Sequence, residues 1–286
     1  MDKNFKHTLS FFALYIVSFV LPFLVHAAPL VLVSVAPHKF FVEKIAGDTV
    51  QVQLMVPAGA SAHTYEPTPR QMFSASQAAI WFCTGESFET RAVQALRSHQ
   101  PKLQIIDLKK NLNLIEHNCT HHCCPGNVDL HFWLSARLAA QQAVTITEAL
   151  SSLLPENTLL YQKRLTAFQD ELSALDQKIT TILAPLLQRH VLVSHPAYAY
   201  FCRDYNLVQH AIEIEGKDPA PQQMTALLTR MRPLHLKFIF VQPQYPHKAA
   251  SLVAHQLGAE LITLNPYAED FTASMLEIAH AFARAS

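Results

Sequence analysis

Three histidines stand at predicted boundaries between secondary-structure elements, where side chains from different segments can converge on a ligand. His63 lies in the string HTYEPTP, His131 in DLHFWLS and His195 in VLVSHPAYAYFC. The prolines that follow His63 and His195 exclude a helix interior or a central strand at both places. Three imidazoles at such boundaries suit a borderline-soft cation such as Zn2+, which prefers tetrahedral coordination with nitrogen ligands. The pattern therefore predicts a metal site.

Each of these histidines also has an ordinary structural interpretation. His63 and His195 fit plain turns, and His131 fits a structural histidine packed against Trp133. The chain has sixteen histidines, and those inside predicted strands and helices receive no ligand role, because satisfied or exposed histidines are far more common there. The prediction of a metal site depends on the three histidines taken together.

A fourth ligand is expected to be a carboxylate. Asp270, in LNPYAEDF, follows the last predicted strand, with Glu269 and Glu66 as rivals. Asp270 also precedes a predicted helix that begins near Phe271, and an aspartate in that position commonly caps the helix. Both roles remain open at this point.

The elements that must position these residues alternate between strands and helices. This alternation predicts an α/β fold, with two lobes whose sheets are largely parallel. Apolar residues spaced three and four apart predict one long helix from about Asn157 to Ala184, which would span about 42 Å and end before Pro185. A coiled-coil dimer seam has the same spacing, but the stripe is short and we favour a helix that packs along both lobes of a monomer. The other predicted strands and helices are strands 30–36, 50–56, 79–83, 104–108, 190–194, 208–214, 236–241 and 261–264, and helices 38–46, 88–97, 221–231 and 247–257.

The N-terminus has the pattern of an export signal. Lys3 and Lys6 precede an apolar run from Leu9 to Val25, and small residues follow, so we expect cleavage after Ala27 and a periplasmic protein. A retained membrane anchor is the alternative, because the run reaches the lower limit for spanning a bilayer. The predicted organisation is a signal peptide over 1–27, an N-terminal lobe over 28–155, the linking helix over 156–187 and a C-terminal lobe over 188–286.

Composition excludes several classes of protein. The 286 residues carry a formal net charge of zero and only 15% charged side chains, so a nucleic-acid partner is not expected. The metalloprotease strings H-E-x-x-H and H-x-x-E-H are absent, which argues against the commonest zinc hydrolases. The phosphate-binding string G-x-x-x-x-G-K-[ST] is absent too, so the chain cannot power transport itself.

A short segment after Glu116, HNCTHHCCPGN, concentrates cysteine and histidine. It contains Cys119, Cys123 and Cys124. With Cys83 and Cys202 the chain has five cysteines, an odd number whose disulfide pairing the sequence leaves open. Thiolates and imidazoles there suit a second zinc or copper(I) ion, and a plain loop with a disulfide is the equal alternative. We expect this segment to be accessory, because loops tolerate deletion.

Several of these strings together resemble the metal-binding receptors of zinc and manganese ABC importers, of the zinc type. The resemblance rests on HTYEPTP, DLHFWLS, SHPAYAYFCRDYNL, EIEGKDPAPQQM and LNPYAED, in this order, over essentially the whole chain after the signal. It implies a buried site between two lobes and delivery of the metal to a membrane permease with a separate ATPase. It also carries metal-ligand roles onto His63, His131, His195 and Asp270.

The residue at the third ligand position distinguishes the zinc-type from the manganese-type relatives in this resemblance. Manganese-type relatives tend to have a carboxylate where this chain has His195, and added imidazole favours zinc over manganese or iron(II). Zinc-type relatives often have a longer loop rich in histidine and acidic residues where this chain has HNCTHHCCPGN. A zinc-dependent hydrolase and a surface adhesin on the same scaffold are the alternative functions.

Overall fold

The computed structural model describes residues 27–98, 100–116, 128–214 and 216–284. The predicted signal peptide up to residue 26 and the Cys/His segment 117–127 lie outside these ranges, so the predictions about them are not tested by the fold. Within the described ranges, no helix combines the length and the apolar character needed to cross a membrane.

Two four-stranded parallel sheets form the centre of the molecule. The strands of the first sheet are β1 (Leu30–Val33), β2 (Gln51–Leu54), β3 (Ile80–Cys83) and β4 (Gln104–Asp107). The strands of the second sheet are β5 (His190–Val193), β6 (Val208–Ala211), β7 (Phe238–Val241) and β8 (Glu260–Thr263). The strand orders are β2-β1-β3-β4 and β6-β5-β7-β8. The buried apolar runs predicted as strands form the middle of each sheet, and Val31 of the first sheet pairs with both Val52 and Ile80.

Helices connect the parallel strands and cover the sheets, which confirms the predicted α/β fold. Most strand ends differ from the prediction by one to three residues. The strand β1, for example, ends at Val33 rather than Ala36, because Pro37 lies in the first turn of the next helix, a position where its missing N–H costs nothing. The helices are α1 (Ala36–Ala46), α2 (Pro69–Ala75), α3 (Ser87–Arg97), α4 (Ala136–Leu153), α5 (Thr158–Leu183), α6 (Ala199–Asp204), α7 (Pro221–Met231), α8 (Lys248–Leu257) and α9 (Phe271–Ala283).

The long helix α5 has 26 residues and packs against helices that accompany both sheets. Phe168 of α5 contacts Phe41 of α1 with ring centroids 5.6 Å apart, and Phe41 in turn contacts Phe271 of α9 at 4.9 Å. One continuous apolar core includes these rings together with residues of both sheets. This arrangement confirms the prediction of a long helix that joins the two lobes, which we name the first lobe (with β1–β4) and the second lobe (with β5–β8).

The two described cysteines, Cys83 and Cys202, are buried free thiols. Burial raises the pKa of both, so neither is a reactive thiolate at neutral pH. Cys119, Cys123 and Cys124 lie outside the described residues, and their pairing stays open.

Candidate metal centre

His63, His131 and His195 meet between the two lobes. One nitrogen of each ring lies within 4.8 Å of the corresponding nitrogen of the other two. Each ring centroid lies between 5.1 and 5.3 Å from the other two centroids. Three residues separated by 64 or more positions in the chain therefore form one cluster.

The parallel sheets explain why these histidines converge. His63 lies on the loop that follows β2, and His195 comes two residues after the end of β5. Ligand sites in open α/β folds occur in the crevice beyond the carboxyl ends of the strands. His131 enters from the loop before α4, where Ser135 caps the helix by accepting a hydrogen bond from the backbone N–H of Leu138. The three candidate ligands thus lie on connections between regular strands and helices.

A buried or half-buried carboxylate holds each imidazole from behind. His63 Nδ1 donates to Glu86 at 3.0 Å, and His195 Nδ1 donates to Glu213 at 2.8 Å. His131 Nδ1 donates to Asp129, also at 2.8 Å. A carboxylate on Nδ1 fixes the neutral tautomer that carries its lone pair on Nε2, and it raises the basicity of that nitrogen. All three histidines are therefore prepared to offer Nε2 to a cation.

The distance between two of these nitrogens fits one particular coordination geometry. The Nε2 atoms of His63 and His131 are 3.3 Å apart. A tetrahedral ion with zinc–nitrogen bonds of about 2.0–2.1 Å separates two nitrogen ligands by about 3.3–3.4 Å. The Nε2 of His195 is buried and has no hydrogen-bond partner, which is costly for a polar atom that binds nothing. The spacing of His63 and His131 thus fits a tetrahedral metal ion, and the buried Nε2 of His195 lies close enough to supply a third ligand.

The pKa values of two of these histidines are shifted in opposite directions. Burial lowers the pKa of His195 to about 4, and its hydrogen bond to Glu213 offsets only part of that effect. Burial also acts to lower the pKa of His63, but the hydrogen bond to Glu86 and the negative charge of that carboxylate outweigh it, so the pKa of His63 is raised. At neutral pH His195 is unprotonated and ready to coordinate, whereas His63 retains a proton over a wider pH range.

One aromatic side chain from each lobe lies beside the cluster. Tyr245 stacks on His195 with ring centroids 4.7 Å apart, and its hydroxyl shares a hydrogen bond of 2.8 Å with Ser61 of the first lobe. Trp133 follows His131 and donates its indole N–H to the carbonyl of Pro266, again across the two lobes, at 2.9 Å. These contacts keep water from His131 and His195, whose side chains are 6% and 7% exposed, and so strengthen electrostatic interactions there.

The structure does not bring Asp270 into the cluster. Its exposed carboxylate accepts a hydrogen bond from the backbone N–H of Ala273 at 2.9 Å and caps α9, the alternative role that the sequence allowed. The rival carboxylates are engaged elsewhere: Glu269 forms an ion pair with Lys39, and Glu66 forms one with Arg91. Three of the four predicted ligands therefore lie together.

Sequence reasoning missed the three carboxylates that hold the imidazoles. Glu86 comes three residues after β3 and Glu213 two residues after β6, so both obey the rule that located His195. Asp129 lies two residues before His131, and a carboxylate so close to a predicted metal ligand is itself a signal of an outer-shell partner.

Comparisons with known proteins agree with this geometry. The family model described as ZnuA, zinc-uptake complex component A periplasmic, matches residues 31–285. A putative metal-binding protein of Chlamydia muridarum is 36% identical over 256 residues, which cover 88% of this chain and 90% of that protein. The high-affinity zinc uptake system protein ZnuA of Bacillus subtilis is 25% identical over 242 residues, covering 80% of this chain and 75% of that one.

Solved structures give the same result. A crystal structure of a ZnuA deletion mutant with zinc bound superimposes with a TM-score of 0.84 at 36% identity, over 90% of this chain and 98% of that one. The family consists of metal-binding components of uptake systems rather than of enzymes, so the hydrolase alternative receives no support. The resemblance inferred from the sequence strings is confirmed: this chain belongs to the ZnuA family of periplasmic metal-binding receptors that serve ABC-type importers.

Proposed function

We propose that this protein captures one Zn2+ ion between its two lobes in the periplasm and delivers it to the permease of an ABC importer, which a separate ATPase drives. The observation that carries this proposal is the group of three imidazoles with converging nitrogens, each held at Nδ1 by a carboxylate. The zinc named in the descriptions of the family and of the zinc-bound relative supports the choice of ion.

The donor set favours zinc over manganese. Three neutral imidazoles are good ligands for a borderline-soft ion, whereas Mn2+ prefers oxygen donors and a higher coordination number. The described cluster contributes nitrogen alone. We therefore expect a clear preference for Zn2+, with Mn2+ and Fe2+ bound more weakly.

A water molecule completes the coordination in this proposal. Three protein ligands leave one of four tetrahedral positions open, as in zinc sites that exchange a ligand. The sequence predicts Asp270 for that position. Because its carboxylate caps α9, we assign the exchangeable position to water instead.

The three ligands differ in their access to solvent, which suggests the side from which the metal enters. The side chain of His63 is 29% exposed, whereas those of His131 and His195 are 6% and 7% exposed. We infer that an incoming ion meets His63 first and reaches the two buried imidazoles afterwards.

The proposal is tested by metal analysis and competition. Protein purified without added metal is analysed for bound metal, and then titrated with Zn2+ and Mn2+ in competition with a chelator of known affinity. We expect one tightly bound Zn2+ per chain and weaker Mn2+ binding. Replacement of His195 by alanine should abolish tight binding, and a His195→Ala protein that binds zinc as tightly as the parent contradicts the interlobe site.

Deletion of residues 117–124 is the second arm of this experiment. Glu116 and Val128 form an antiparallel bridge at the two ends of the Cys/His segment, so a shorter connection can still join them. The deletion should leave the tight zinc site intact. If all tight zinc binding is lost, the Cys/His segment rather than the three histidines is the primary site.

We also propose that the protein is exported through a cleaved signal peptide and that it functions as a monomer. N-terminal sequencing of the exported protein should find Ala28 as the first residue, and an intact Met1 rules out cleavage. Light scattering of the metal-loaded protein should give the mass of one chain.

A further inference from the structure

The hydrogen bond between Ser61 and Tyr245 joins the two lobes beside the metal site. The two hydroxyl oxygens are 2.8 Å apart. Ser61 is nearly buried and lies two residues before His63 in the first lobe, whereas Tyr245 follows β7 in the second lobe. The bond therefore ties the loop that carries one proposed ligand to the lobe that carries another.

The ring of Tyr245 also contacts that other ligand directly. It stacks on the imidazole of His195 with centroids 4.7 Å apart and an angle of 23° between the planes. Glu213 holds the Nδ1 atom of His195 at 2.8 Å, but a single hydrogen bond resists rotation of the ring about that contact only weakly. The ring of Tyr245 lies against one face of the imidazole and opposes that rotation, because offset stacking is a favoured arrangement and tilting the imidazole towards the tyrosine would bring the two rings into overlap.

We propose that Ser61 and Tyr245 form a latch that positions the imidazole of His195 and controls how fast zinc leaves. This inference rests on the proposed function. The rings of His63 and His195 belong to different lobes and have centroids 5.2 Å apart. Zinc can dissociate only when at least one of them withdraws. Withdrawal of either ligand with its lobe stretches the bond between Ser61 and Tyr245, so the hydrogen bond must break before the metal is released.

The latch is tested by the rate of zinc dissociation. Zinc-loaded parent, Ser61→Ala, Tyr245→Phe and the double variant are mixed with excess chelator in a stopped-flow instrument. Loss of one net hydrogen bond should speed dissociation about fivefold in each single variant. Because both substitutions remove the same bond, the double variant should be no faster than either single one.

Tyr205→Phe is the matched control. Its hydroxyl donates to Asp176 at 2.9 Å, away from the three histidines, so this variant loses a tyrosine hydrogen bond of similar kind. Its dissociation rate should equal that of the parent. A fivefold increase in this control shows a general loosening of the protein and overturns the latch.

A second measurement tests whether Tyr245 positions the imidazole of His195 or only holds the two lobes together through its hydrogen bond. Co2+ replaces zinc, and its visible absorption reports the geometry of the ligands. Tyr245→Phe keeps the stacked ring and should leave the cobalt spectrum unchanged, whereas Tyr245→Leu removes the ring and should alter it. Identical spectra for Tyr245→Leu and the parent overturn the positioning role.

The outcomes distinguish the latch from the function on which it rests. A parent protein that binds no zinc contradicts the proposed function. A parent that binds zinc, with single variants that release it at the parental rate or with effects that multiply in the double variant, contradicts the latch alone.

Discussion

The carboxylate of Asp270 accepts a hydrogen bond from the backbone N–H of Ala273 at 2.9 Å. That contact satisfies one of the four N–H groups that the first turn of α9 would otherwise leave without a partner. An aspartate engaged in this way stabilises the start of the helix, and in this position it lies outside the cluster of three histidines. The same residue type at the same place in the sequence fits both roles, and only the geometry separates them.

Replacement of Asp270 by alanine should therefore change stability and leave zinc affinity unaltered. Loss of an N-cap costs about 1 kcal/mol of the free energy of unfolding, which urea denaturation of the metal-free protein will measure. Asp270→Asn is the control, because asparagine caps helices about as well as aspartate. A fall in zinc affinity of tenfold or more in both variants would restore Asp270 as a ligand.

Replacement of Glu213 should weaken zinc binding although Glu213 does not lie in the group of metal ligands. Loss of the carboxylate behind a coordinating histidine typically costs 10–100-fold in affinity, so Glu213→Ala should fall in that range. Glu213→Gln keeps an oxygen that can accept from His195 Nδ1 but loses the charge, and its effect should be smaller. Competition titrations measure both, with Glu260→Gln as the control at an exposed glutamate of β8. Equal affinity in all four proteins would show that the contact has no influence on the metal.

Zinc affinity should fall with decreasing pH through competition with a proton on His63. The pKa of His63 is raised, chiefly because the hydrogen bond and charge of Glu86 outweigh its burial, whereas the pKa of His195 is lowered to about 4. Between pH 7.5 and 5.5 His195 therefore takes up little proton, and His63 accounts for more of the loss. Each competing proton lowers affinity at most about tenfold per pH unit. Glu86→Gln should make the slope shallower, and titrations in buffers of different ionisation enthalpy should show fewer protons released; an unchanged slope contradicts this assignment.

The buried histidine His38 should contribute to the loss of stability of the metal-free protein in acid. His38 is fully buried, and burial lowers its pKa to about 4 although the ring hydrogen-bonds to Gln142 at 2.8 Å. The unfolded chain binds a proton near pH 6.5 and the folded one only near pH 4, so between these values the unfolded state binds more protons and stability falls as the pH falls. At pH 4.5 this costs about 2–3 kcal/mol relative to pH 7.5.

The double variant His38→Leu with Gln142→Leu should lose less stability over that range, because neither leucine takes up a proton. Replacing both partners avoids an unpaired buried polar group. Urea denaturation of parent and variant at the two pH values supplies the comparison. Equal losses in both proteins would show that His38 is protonated in the folded state as readily as in the unfolded one.

Periodicity and proline placement were sufficient to predict most of the fold. The helix predicted over 221–231 is found at Pro221–Met231, and the long helix predicted from Asn157 to Ala184 is found at Thr158–Leu183. Short helices such as α6 escaped prediction because Ala199–Asp204 is too brief to show a period. The spacing of apolar residues predicts these helices and strands because each of them must bury its own apolar face.

The site was predictable only in part, for a different physical reason. His131 and His195 were found because a turn or a proline marks each position, whereas Glu86 and Glu213 look like any acidic residue on a loop. Their role depends on a contact of about one hydrogen-bond length between segments far apart in the chain. No local pattern encodes such a contact, although the rule for strand ends narrows the search.

The aromatic contacts among Phe41, Phe168 and Phe271 have a consequence for how the molecule responds to heat. These rings belong to helices of the first lobe, the connection and the second lobe, and one apolar core includes them all. A lobe that melted alone would expose to water the part of that core that it shares with the other lobe, at a cost that grows with each square ångström uncovered. The two lobes should therefore melt together, as a single calorimetric transition, even when no metal ties them to each other.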